Sequence, residues 1–182
     1  LAYTIASLMI IVTDAINRSL CPYLYKSIKE GTIKQVGTVV NGLITVVLLV
    51  SFLEMLLAPE LIGIFATQEY MDAVYIIPPV ALSVFFTFVY VIYSNVEFYY
   101  EKTIFATVVS ILAAITNIAL NYLLIPIYGY YAAGFTTLLC YILFALLHYL
   151  NYRRLVLNHK EIQGIYNNRM ISIICTIGIF LM

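Results

Sequence analysis

The chain has 182 residues, of which 64% are hydrophobic and 10% charged, and its nine basic and nine acidic side chains leave no net charge. Soluble proteins run at roughly 45–50% apolar and about 25% charged, and a domain of this size has too little interior to hide the difference. The composition therefore excludes an ordinary water-soluble domain. The absence of a basic cluster or nucleic-acid motif excludes a nucleic-acid binder. The reading is an all-α, polytopic transmembrane helix bundle whose solvent is the lipid bilayer.

A helix needs about 20 apolar residues to cross a bilayer. The first apolar run, Leu1 to Thr13, continues through "DAINRSLCPYLYKSIKEG" and predicts a helix over 1–30. It lacks the basic start and small-residue cleavage site of a signal peptide. If this helix passes through Pro22, Asp14 and Arg18 lie inside the bilayer. If it ends near Ile16, "RSLCPYLYKSI" becomes a surface helix with Leu20, Leu24 and Ile28 on one face. A second crossing is expected over 36–57. In "APELIGIFATQEYMD", Pro59 suits the first turn of a short outer-surface helix over 59–66, with Thr67 as the cap of the next segment. The third crossing is expected over 73–100, with Pro78 and Pro79 kinking it or setting a new angle. The fourth and fifth are expected over 104–126 and 130–152, and Pro126 and Gly129 turn the chain between them. A sixth, over 169–182, stops in mid-run. With no initiator Met and no polar tail, the chain reads as an internal fragment of a longer membrane protein.

All nine lysines and arginines fall in alternate connections. Arg18, Lys26, Lys29 and Lys34 lie between runs one and two. Lys102 lies between three and four, and Arg153, Arg154, Lys160 and Arg169 between five and six. The positive-inside rule puts these connections in the cytoplasm and the residue 1 side outside it. Tyrosines at run ends (Tyr70, Tyr75, Tyr99, Tyr100, Tyr128, Tyr130, Tyr131, Tyr149 and Tyr152) read as an interfacial belt. Tyr90, Tyr93, Tyr122 and Tyr141 lie deeper and are candidates for stacking on a sugar.

Polar side chains inside a bilayer need a reason, since Asp, Lys or Arg at a helix centre costs about 2.5–3.5 kcal/mol. The candidates for a translocation cavity are Asp14, Asn17, Arg18, Asn41, Asn95, Glu97, Asn117 and Asn121. Three sets have the spacing that puts both members on one helix face: Asp14 with Arg18, Asn41 with Thr45, and Asn117 with Asn121. Each also has a structural reading. Asp14 and Arg18 can pair within their helix, and the asparagines can hydrogen-bond neighbouring helices. Glu54 and Glu97 sit near helix ends, where they can reach water, and His148 reads as interfacial. Pro22, Pro59, Pro78, Pro79, Pro126 and Gly129 are candidate hinges or gates. Cys21, Cys140 and Cys175 have no metal-type spacing and read as free buried thiols. No metal site is expected. No Gly-x-Ser-x-Gly, His-Glu-x-x-His or Asp-x-Asp pattern is present, so an enzyme is not expected either.

The segment "NIALNYLLIPIYGYYAAGFTTLLCYILFALLHY" resembles a segment of bacterial polysaccharide flippases of the multidrug/oligosaccharidyl-lipid/polysaccharide export superfamily. "DAINRSLCPYLYKSIKEG", "APELIGIF" with an acidic residue and Tyr70, and "YSNVEFYYEKT" match the same family in the same order. The resemblance covers essentially the whole chain and places it in the carboxy-terminal half. It implies a bundle that flips undecaprenyl-diphosphate-linked oligosaccharide repeat units, for O-antigen or capsule, across the bacterial cytoplasmic membrane by alternating access. It also implies a missing amino-terminal bundle, with a polymerase and a chain-length regulator as candidate partners. No cofactor is expected beyond a coupling ion, H+ or Na+. A drug or cation antiporter of the same superfamily and a non-transporting scaffold of a glycan-synthesis complex are the alternatives.

Overall fold

The computed structural model of the protein describes residues 2–65 and 68–182. Among them every element is helical. Long apolar runs favour this outcome, because in lipid each backbone N–H and C=O must find its partner within its own segment. The α-helices are α1 (Ala2–Glu30), α2 (Val36–Leu56), α3 (Ala58–Phe65), α4 (Ile77–Tyr99), α5 (Thr103–Tyr128), α6 (Tyr131–Asn158) and α7 (Asn168–Leu181). Tighter 3-10 turns occupy Ile33–Gln35, Gln68–Tyr75 and Lys160–Ile162. Among the described residues, four segments are long and apolar enough to cross a membrane: Ile33–Leu56, Ile77–Tyr99, Thr103–Tyr128 and Tyr131–Asn158.

Helix α4 is the centre of the bundle. Buried residues make up 78% of its most apolar stretch, against 11% for α5. It packs against α1, α2 and α6, whereas α5 packs mainly on α6. A helix that is apolar all round belongs in an interior, and α4 buries residues on every face, from Ala81 and Leu82 to Phe85, Phe86 and Phe88. Its serines cause no conflict. Ser83 donates to the Val80 carbonyl at 2.6 Å and Ser94 to the Val91 carbonyl at 3.0 Å. The small residues at the start of α6 permit a close approach, and the neighbour is α4. A Cβ on Gly134 would stand 3.1 Å from both Ile76 Cγ2 and Pro79 Cγ.

Ring contacts fix which helix ends lie together. Tyr25 packs on Tyr99 at 5.3 Å and Tyr100 stacks on His159 at 4.0 Å, so α1, α4 and α6 finish at one end. Gly37, at the start of α2, lies under the Ile165 carbonyl there. The helix ends and connections that carry every lysine and arginine except Arg18 are thereby gathered at one end of the bundle. Tyr75 against Tyr131 at 6.4 Å, and the Tyr3 hydroxyl 2.9 Å from Thr137 Oγ1, mark the opposite end.

The prolines behave differently from expectation. Pro78 and Pro79 lie in the first turn of α4 and do not kink it. The missing N–H there is one that no helical carbonyl would have received. The third long helix begins at Ile77, not 73, because Gln68–Tyr75 is wound as 3-10. Pro59 occupies the first turn of α3; Thr67 as a cap and the final residue of the expected 59–66 helix lie outside the described residues. Pro22 sits inside an unbroken α1, so the separate surface helix does not form. Pro126 does not turn the chain: α5 runs through it to Tyr128. Gly129 alone makes the exit, at φ 69°, with its N–H bonded to the Ile125 carbonyl at 2.8 Å. Only glycine takes that backbone region without strain.

One group of tyrosines is core and not belt. Tyr93, Tyr152 and Tyr166 pack together with ring centroids 5.2–5.8 Å apart. The Tyr166 hydroxyl donates to the Ile92 carbonyl at 2.9 Å. Burial pushes that phenol well above its ordinary range, so it stays a donor.

Candidate functional site

Among the polar links between the helices, three involve residues deep in the apolar runs and bear on a site. Between α1 and α4, Asn95 Nδ2 donates to Asn17 Oδ1 at 2.7 Å. Between α5 and α6, the Thr136 hydroxyl donates to Asn121 Oδ1 at 2.6 Å, and Asn121 Nδ2 donates to Asn117 Oδ1 at 3.0 Å. Asn117 and Cys140 also line a common cleft. Between α4 and α6, His148 Nδ1 lies 2.8 Å from Glu97 Oε2. The asparagine spacing thus brings Asn117 and Asn121 together on one face, and that face meets α6.

A cleft of about 340 Å³ opens between α4, α5 and α6. Tyr90, Asn117, Thr137, Tyr141 and Phe144 form much of its wall. The Tyr90 and Tyr141 rings lie nearly parallel, 10° apart with centroids at 6.3 Å. Of the four deep tyrosines, these two reach a cleft. Tyr93 is locked in the aromatic core, and Tyr122 points outward from α5, 80% exposed.

Asp14, Asn17 and Arg18 share a face of α1 by their spacing. Asn17 is half-buried against α4, whereas Asp14 and Arg18 are exposed. They do not form the expected intrahelical ion pair: the ion pairs among the described residues are Lys26–Glu30, His148–Glu97 and His159–Glu161. Tyr25, which packs on the last residue of α4, provides a depth marker. At 1.5 Å per residue, Arg18 lies about 10 Å and Asp14 about 16 Å from Tyr25 along α1. The two ions therefore sit deep along the bundle on an open face.

The remaining candidates resolve as follows. Thr45 donates to the Asn41 backbone carbonyl at 2.8 Å, while Asn41 Oδ1 is buried without a partner. Asn95 is 4% exposed and donates to Asn17. Glu97 does not reach water, and His148 is not interfacial; both are enclosed in the bundle. Both carboxylate oxygens of Glu54 are also buried without a partner, beside an apolar cleft formed with Leu8, Met9 and Val12. Sequence reasoning missed Thr136, Cys140 and the role of His148. Thr136 and Cys140 carry a weak signal: they lie four apart, on the face of α6 that meets the two asparagines.

No protein-family model, curated protein or solved structure matches the chain.

Proposed function

We propose that the chain is an integral-membrane transporter lobe that moves a lipid-linked oligosaccharide across the bacterial cytoplasmic membrane. The observation that carries the reading is the open face of α1. Asp14 and Arg18 stand exposed, with no ion-pair partner among the described residues, on a helix packed against α2 and α4, both long and apolar enough to cross a membrane. Ions at such depth face a bundle interior or a water-filled cavity. The sequence resemblance supplies the second bundle that would close the cavity, from the amino-terminal half of the same protein. Arg18 suits the diphosphate of the cargo, because its planar fork makes two parallel charge-assisted hydrogen bonds. The gathered basic end is then the cytoplasmic one. The two halves rock about the cavity in alternating access.

The test is made in cells with the full-length protein. Deleting its gene should trap lipid-linked oligosaccharide on the inner leaflet, and the wild-type gene should restore export. Arg18→Ala, at normal protein levels, should lower export about tenfold or more, the scale of one lost charge-assisted contact. Near-normal export by Arg18→Ala would remove the substrate contact from the reading. Unchanged lipid topology after deletion, with a dispersed synthesis complex, would instead indicate a scaffold.

A further inference from the structure

The Glu97–His148 link differs from the two amide links in holding ionisable groups where neither meets solvent: His148 is 1% exposed and Glu97 0%. His148 Nδ1 takes up one carboxylate oxygen, Oε2, at 2.8 Å. The other oxygen, Oε1, is buried and has no partner. The imidazole is stacked against Tyr90 at 5.4 Å and Phe144 at 5.6 Å, and meets the edge of Phe105 at 5.8 Å. Tyr90 and Phe144 are also walls of the 340 Å³ cleft, so the imidazole stands one ring behind it.

On the side of Phe105, Glu101, Lys102, Asn151 and Arg154 line a second cleft, and the Lys102 N–H bonds the Glu97 backbone carbonyl at 2.9 Å. On α4 the titratable side chain stacked on the imidazole is Tyr90, which in turn faces Tyr141 of α6, and on α1 the exposed Asp14 is the acid. Helix α5 presents Phe105. The acid of α2, Glu54, lies near the opposite end of the bundle, and the charge of α7, Arg169, lies on its exposed first turn. No lysine or arginine forms an ion pair with Glu97 among the described residues.

We propose that Glu97 and His148 form a proton-binding site that exchanges with the cleft past Tyr90 and Phe144. A neutral imidazole that donates Nδ1–H to an ionised carboxylate leaves the pair with one net negative charge. A second proton, taken from water onto His148 Nε2 or Glu97 Oε1, cancels that charge. Either addition keeps the Nδ1–H···Oε2 bond, so the proton comes and goes without parting α4 from α6. The inference does not rest on the transport reading, since proton uptake belongs to the pair itself.

The chain has two histidines, so His159→Gln leaves His148 as its only imidazole. In that variant of the full chain, in lipid and with labelled histidine, nitrogen NMR recorded from about pH 5 to pH 8, the span over which imidazoles change charge, should show one protonation step for His148. A carboxylate infrared band lost in Glu97→Gln should change over the same interval. Glu97→Gln should weaken proton binding by about tenfold or more, because the neighbouring anion is gone. Glu97→Asp keeps the anion and should keep the step, and it decides the matter if the glutamine variant does not fold. An imidazole that stays in one state across the whole range would overturn the proposal. So would a step that Glu97→Gln leaves at the same pH.

Discussion

Thr136 spends its one hydroxyl proton on Asn121 Oδ1 at 2.6 Å, with the Ala133 carbonyl 3.1 Å away as a second acceptor. Thr136→Val keeps the shape and removes the donor, leaving a half-buried amide oxygen on α5 with nothing from α6. Interhelical hydrogen bonds of this kind average about 0.6 kcal/mol and reach about 1.7. A loss in that range is expected in reversible denaturation of the full chain in detergent. Asn17 and Asn95 should couple by a similar amount in a double-mutant cycle, since each single alanine strands its partner. Gly134 is a different case. A Cβ there meets Ile76 Cγ2 and Pro79 Cγ at 3.1 Å, and the proline ring cannot swing aside. Gly134→Val should therefore cost about 1–3 kcal/mol as an overpacked contact. A valine variant as stable as wild type would mean that α6 slides freely on the start of α4.

Pro22 leaves the Arg18 carbonyl of α1 without its usual helical donor, yet the helix is unbroken from Ala2 to Glu30. Pro22→Ala restores that N–H and should raise thermal stability. If the weakened turn is a hinge for the face that carries Arg18, the same variant should export less while accumulating normally; equal export would leave Pro22 a passive feature. Four of the six expected crossings were legible because their apolar runs are long enough to span a bilayer; α1, with its charged second half, and α7, 14 residues long, are helical but, among the described residues, are not helices long and apolar enough to cross. The exits were less so: proline signals a break but does not say on which side, and at Pro78 and Pro79 the break came before the pair. Partners across helices were not legible at all. Spacing of four tells that Asn117 and Asn121 share a face, but nothing local links Glu97 to His148, 51 positions away, or Asn17 to Asn95, 78 away. Tyr152 misled for a related reason. Its place beside Arg153 looked interfacial, but α6 runs on to Asn158, and the segment that follows folds back with Ile162, Ile165 and Tyr166 buried over it.

At the scale of the molecule the asymmetry of charge meets the asymmetry of packing. The ends of α1, α4 and α6 meet at one pole through Tyr25, Tyr99, Tyr100 and His159, and the basic connections lie there. Between the poles α5 presents an apolar flank, with Ile104 80% and Ile118 69% exposed, which lipid can cover. The orientation we propose, by the positive-inside rule, puts that basic pole in the cytoplasm. Cysteines at Tyr128 and Asn158 test this directly, because both positions are exposed and they terminate α5 and α6 at opposite poles. The native thiols give a low background: Cys140 is buried, and Cys21 and Cys175 are half-buried. In intact cells a membrane-impermeant thiol reagent should label Tyr128→Cys and leave Asn158→Cys unmodified until the membrane is opened. The reverse pattern would invert the bundle and put the Arg18 face in a cavity approached from the wrong leaflet. Labelling of both in intact cells would place the two poles on one side, and the crossing helices would have to be given up.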